Sequence, residues 1–186
     1  MKKTSLLLSL TALAAMFAAG CASTATSSSD PAPTYTPVDN ASAGLPANVA
    51  VSFHDPDRFT DARSSFGGAT DHGYLDMLSA HLKRTAAPLV KADQKLEVTF
   101  TDVDLAGDFQ PSRVQLDDVR IIKEIYRPRM TLHFKLTGAD GTVVKEGDRT
   151  LSDSYFMTNI SIVDRNDPLF YDKELIANWV RDEFKS

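Results

Sequence analysis

Met130, Leu132, Phe134 and Leu136 alternate with Thr131, His133 and Lys135. Period-two alternation puts the four apolar side chains on one side of a strand and the polar ones on the other. Such a strand belongs in a sheet with one covered face, so the chain is committed to a β layer packed beneath something else. Residues 95–105 repeat the pattern with Leu96, Val98, Phe100, Val103 and Leu105. The phase slips between Phe100 and Val103, which predicts a bulge or a strand break there. Val49, Val51 and Phe53 give a shorter strand, residues 119–125 another, and residues 142–148, continued by Leu151, a return strand. Gly138-Ala139-Asp140-Gly141 reads as the hairpin turn before it, because Asp-Gly suits positive φ.

The covering layer is also legible. Tyr74, Leu75, Leu78, Leu82 and Leu89 recur at helical spacing. Asp71 is placed to cap that helix and Pro88 to end it near Ala87. Leu169, Ile176, Trp179, Val180 and Phe184 make the apolar stripe of a second helix, with Asp167 as N-cap and Pro168 as its first residue. The order β-α-β-β-β-β-α predicts an α+β fold. Its sheet is mostly antiparallel, with four to five strands, and both helices pack on one face.

All of this lies after residue 47. Residues 1–20 carry Lys2 and Lys3, then an apolar run of 14 residues from Leu6 to Ala19. A spanning helix needs about 20 residues, so the run reads as a secretory signal peptide. It ends in Ala18-Ala19-Gly20-Cys21, which resembles a bacterial lipobox, and Cys21 is the one cysteine in 186 residues. Lipidation at Cys21 is therefore expected, with the membrane reached through acyl chains. The resemblance to such signals, with Ala22 rather than Asp after the cysteine, implies an outer-membrane lipoprotein facing the periplasm. A single thiol excludes internal disulfides and cysteine-based zinc sites. Residues 22–47 are Ala, Ser, Thr and Pro-rich, hold four of the nine prolines, and have Tyr35 as their sole aromatic. They read as a disordered tether. Fourteen of the sixteen aromatics fall in residues 48–186, which read as a single globular domain. The formal charge is -5. Loss of Lys2 and Lys3 with the signal leaves 18 basic against 25 acidic residues, a charge of -7. Nucleic acid is a poor partner for such a chain.

Candidate chemistry is sparse. Asp102 and Asp104, two apart in a strand, share a side and with Asp108 form Asp-x-Asp-x-x-Gly-Asp. Calcium chemistry of the EF-hand type fails, since Ala106 and Arg113 stand where ligands are needed. Arg127-Pro128-Arg129 holds two guanidiniums around a rigid proline, suited to a phosphate, carboxylate or glycan anion. With Arg113, Arg120 and Lys123 it could equally form a surface network with Asp102, Asp104, Asp117 and Asp118, the favoured reading. His54, His72, His81 and His133 show no paired metal spacing, and no acylation or phosphate-loop motif occurs. No catalytic residue, metal or cofactor is assigned. Asp102, Asp104, Arg127 and Arg129 are the candidate binding surface.

Several strings together resemble a family. They are Val51-Ser52-Phe53 with Asp55-Pro56 and Thr60-Asp61, residues 101–109 with their Asp-Val-Asp-Leu-Ala-Gly centre, residues 125–130, Leu151-Ser152-Asp153 with Phe156-Met157, and Trp179. The chain is similar over about residues 48–186 to the proteobacterial family catalogued as domain of unknown function 3016. That resemblance implies an exported protein and supplies no catalytic residues. The expected role is a non-enzymatic envelope lipoprotein that binds a protein or a cell-wall component. The alternatives are a metal-dependent or carboxylate-based periplasmic hydrolase using Asp102 and Asp104, with His133 as a further candidate, and a small-ligand carrier with a pocket between sheet and helices.

Overall fold

The apolar faces read from the sequence meet in one core. The computed structural model describes residues 31–37, 44–109, 119–158 and 166–185. The signal peptide, Cys21, Arg113, Asp117 and Asp118 lie outside the described residues. Strand β1 is Thr34–Tyr35, β2 Val49–His54, β3 Lys95–Asp104, β4 Asp108–Phe109, β5 Arg120–Ile121, β6 Arg129–Thr137 and β7 Val143–Ser152. Helix α1, His72–Ala86, follows β2, and α2, Phe170–Phe184, follows β7. The main sheet runs β1-β2-β3-β6-β7, with β2 and β3 parallel and the other pairs antiparallel. The parallel pair needs a long crossover, and α1 is that crossover. This is the expected α+β architecture.

Every second residue of β2, β3 and β6 is buried, and these side chains face the apolar stripes of both helices. Phe53 and Phe100 are neighbours in the parallel register and stack with centroids 5.1 Å apart. Phe134 of β6 receives Trp179 and Phe184 of α2 edge-on, at 5.8 and 5.6 Å. These rings, with Leu75, Leu78 and Leu82 of α1, fill the space between sheet and helices. The register shift falls between Phe100 and Asp102, where the phase slip places it, so Val103 and Leu105 still turn inward. Asp71 caps α1 by accepting the Tyr74 N–H. Gly141 has φ 79° in the β6–β7 turn, as Asp-Gly requires.

Three expectations need correction. Residues 119–125 do not make a full strand: only Arg120 and Ile121 pair, with Asp108 and Phe109, in a separate two-stranded ribbon. The apolar residues there lack a long partner strand, and the Tyr126 N–H turns back to the Lys123 carbonyl. Helix α2 begins at Phe170 rather than Pro168, because the Asp167 carboxylate takes the Leu169 N–H before the helix starts. Within the stretch read as tether, Thr34 and Tyr35 add an antiparallel edge to β2. Tyr35 stacks on His72 at 4.3 Å and its hydroxyl donates to Asp76 at 2.7 Å. One aromatic with a waiting ring and carboxylate is enough to order a short strand.

Candidate functional site

The string Asp102-Val103-Asp104-Leu105-Ala106-Gly107 ends β3 and turns it into β4. Each of its residues has a separate task. Both carboxylate oxygens of Asp102 accept from Thr60, at 2.8 Å from the backbone N–H and 2.9 Å from the hydroxyl. Val103 and Leu105 enter the core, and their backbones bracket Asp61: the Asp61 N–H donates to the Val103 carbonyl and the Leu105 N–H to the Asp61 carbonyl. The Ala106 N–H donates to the buried Asp172 at 3.0 Å. Gly107 has φ 86°, and a Cβ there would stand 2.9 Å from the Ile121 carbonyl oxygen. Only glycine allows the turn to pass that close to β5.

Arg120 locks this turn to the loop after β2. Its guanidinium donates to Asp61 at 2.9 Å, to the Gly107 carbonyl at 3.0 Å and to the Arg63 carbonyl at 2.8 Å. It also lies over the Phe109 ring at 4.5 Å. The Arg120 and Asp61 side chains are only 12 % and 9 % exposed, so the ion pair is largely desolvated. Burial raises the Asp61 pKa, but hydrogen bonds and charge from Arg120 and Arg63 outweigh it and hold the carboxyl below its usual value.

Around this clamp opens a cleft of about 550 Å³. Asp61, Arg63, Asp104, Asp108, Ile125, Arg127 and Arg129 are among its lining residues. Asp104 stands between Asp61 and Arg129, bridged to the first and paired in register with the second. Burial pushes the Asp104 carboxyl up to about 6, and the negative charges of Asp61 and Asp102 add to it; Arg129 and Arg120 offset this only in part. Pro128 is buried, which fixes the backbone between the two arginines. Arg127 donates to the Ser154 hydroxyl at 3.3 Å. Among the described residues, neither Arg127 nor Arg129 has a carboxylate oxygen within ion-pair distance.

The four candidate residues thus separate into three and one. Asp104, Arg127 and Arg129 line one cleft, whereas Asp102 is occupied by Thr60 and does not. Of the favoured surface network, Arg113, Asp117 and Asp118 lie outside the described residues; Arg120 pairs with Asp61, and Arg127 and Arg129 are exposed. His133 belongs elsewhere. It stands four residues beyond Arg129 on β6, roughly 13 Å along the strand. There its ring nitrogens meet Asp148 at 2.9 Å and Glu146 at 3.3 Å. Among the described residues, no group of three His, Cys, Asp or Glu side chains is arranged to hold a metal ion.

Sequence reasoning passed over Asp172. It lies on α2 between Leu169 and Ile176 and is fully buried with them. Burial pushes its carboxyl up to about 7, against the Ala106 N–H and Arg120 that favour its charged form. Its second oxygen has no hydrogen-bond partner among the described residues. The available signal was an acidic residue in the apolar stripe of a helix. A family model described as "Protein of unknown function (DUF3016)" matches residues 47–182. No curated protein matches the chain.

Proposed function

This chain belongs to the DUF3016 family, and we propose that its domain is a non-enzymatic binding module of the cell envelope. The Asp104–Arg127–Arg129 cleft is its ligand-facing surface, and acyl chains on Cys21 hold it to the periplasmic face of the outer membrane. The observation that carries the binding reading is the cleft itself. Residues from β3, from the loop before β6 and from β6 converge there, and two exposed arginines have no carboxylate partner among the described residues. Arginines held open in this way favour partner recognition over fold stability, because a solvated guanidinium adds little to folding. The partner is an envelope protein or a cell-wall component. The anchor reading rests on the short apolar leader and the lone cysteine that ends it.

Crosslinking in intact envelopes tests the module. A reproducible adduct that is lost in Arg127→Ala supports the reading, and no adduct under any condition contradicts it. Cys21→Ser tests the anchor separately: the protein should move from the membrane pellet to the soluble fraction, and an unchanged pellet would refute lipidation.

The hydrolase alternative is favoured by one observation, the carboxyl of Asp104 raised to about 6, near the range of a working acid-base group. Asp102, its expected partner in that chemistry, is bound to Thr60. Turnover of an envelope polymer that disappears in Asp104→Asn would move the assignment to that reading.

A further inference from the structure

Two exposed guanidiniums with no carboxylate oxygen in ion-pair distance among the described residues offer half of an ionic contact. We infer that the cleft is an oxyanion site: Arg127 and Arg129 take a carboxylate or phosphate group, and Ile125 covers an apolar part of the same ligand. The inference rests on the binding-module reading and names the ligand chemistry of that site. Three features carry it. First, the cations are placed in advance, since Arg129 opens β6, Pro128 is buried, and Arg127 precedes it. Placement made during folding is not charged to binding. Arginine also presents paired donors that match the two oxygens of a carboxylate or phosphate.

Second, much of the acidic charge beside the arginines is already compensated. Arg63, Arg127 and Arg129 line the cleft with Asp61, Asp104 and Asp108, and Arg120 pairs with Asp61 from outside the lining. Asp61 is neutralised by Arg120 and Arg63. Asp104 is the carboxylate nearest to competing for Arg129, and its partial burial beside Asp61 and Asp102 disfavours its ionised form. An incoming anion therefore competes with Asp104 at Arg129, and at Arg127 it meets no carboxylate within ion-pair distance among the described residues. Third, Ile125 lines the cleft while 77 % exposed, the most exposed of the large apolar side chains among the described residues. An exposed aliphatic group beside paired arginines suits a ligand with an apolar body and an anionic end.

The same chemistry is presented by a soluble organic acid or phosphate ester and by an acidic phospholipid headgroup, so the test separates them. Full-length protein lacking only residues 1–20, with Cys21→Ser, is titrated by NMR with phenyl phosphate and with inorganic phosphate. In parallel it is co-sedimented with phosphatidylglycerol and with phosphatidylcholine vesicles. The expected result is shifts confined to the cleft, with phenyl phosphate bound several-fold more tightly than inorganic phosphate. The double substitution Arg127→Gln with Arg129→Gln should weaken binding roughly tenfold or more, the loss expected for charge-assisted bonds. Ile125→Ser should remove the phenyl preference alone. Sedimentation with phosphatidylglycerol only, sensitive to the same double substitution, assigns the oxyanion to a lipid headgroup; titration with phenyl phosphate but no sedimentation assigns it to a soluble ligand. Both arginines are exposed, so unchanged thermal unfolding should accompany the loss. Absence of cleft shifts with either phosphate and of vesicle binding overturns the inference, as does binding indifferent to the double substitution. If envelope crosslinking still depends on Arg127 in that event, the module stands and only the oxyanion chemistry fails.

Discussion

Gly107→Ala should damage the protein more than its exposure or chemistry suggests. The residue has φ 86°, a conformation that costs an L side chain about 1–2 kcal/mol. A Cβ would also stand 2.6 Å from Ile122 Cδ1, 2.9 Å from the Ile121 carbonyl oxygen and 3.0 Å from Arg120 Cγ. Ile122 can rotate aside, but the carbonyl belongs to a paired strand and moves only if β5 moves. Overpacking of that kind costs roughly 1–3 kcal/mol. The total is about 3 kcal/mol, a large part of the roughly 5–15 kcal/mol that holds a typical domain folded. Gly141→Ala is the control. It has φ 79° and nothing within 4 Å of its Cβ, so only the conformational cost of about 1 kcal/mol applies. Urea unfolding of both variants should separate them by about 2 kcal/mol. Equal destabilisation would refute the close approach of the Asp104–Asp108 turn to β5.

Further outcomes follow from the same geometry. Arg120→Ala leaves Asp61 buried with only Arg63 beside it and should cost about 3 kcal/mol in urea unfolding; a change under about 1 kcal/mol would mean the pair is solvated. Asp172 ionises near 3.8 when unfolded and near 7 when folded. Between those values the native state binds more protons, so stability falls as pH rises, by on the order of 4 kcal/mol when the window is crossed. Asp172→Asn should flatten that slope and stabilise the protein above pH 7, read by unfolding at several pH values; an unchanged slope would contradict it. Glu183 behaves oppositely. Hydrogen bonds from Arg149, with help from Lys145, hold its carboxyl at about 2 rather than 4.5, so what it contributes is present above 4.5 and lost as pH falls toward 2. Glu183→Gln should lower the melting temperature at neutral pH and have no effect near pH 2. Tyr35→Phe removes one hydrogen bond to Asp76 and should cost about 1 kcal/mol; no loss would detach β1 from the domain's stability.

The layers of the fold were legible because period-two and helical patterns record which face is buried. The phase slip at Phe100 even located the bulge, since a bulge is what keeps Val103 and Leu105 on the core side. What was not legible depended on contacts between distant residues. Tyr35 sits in a stretch too polar to fold alone, and it is ordered by β2, His72 and Asp76, all distant along the chain. Residues 119–125 are apolar enough for a strand, but strand length is set by the partner, and β4 offers two residues. In the cleft, local spacing found Asp104, Arg127 and Arg129. It did not show that Thr60 occupies Asp102, or that Asp61 and Asp172 hold the turn in place, because both act across more than 40 residues of sequence.

The central claim is that Arg127 and Arg129 make the cleft a recognition surface. The most direct measurement places a photo-crosslinking residue at Ile125, and as a control at Val144 on β7, in cells producing the full chain. A discrete adduct should form from position 125 and not from 144, and it should vanish when Arg127 and Arg129 are both changed to Gln. An adduct that survives that change, one that forms equally from both positions, or no adduct from Ile125 would contradict the claim.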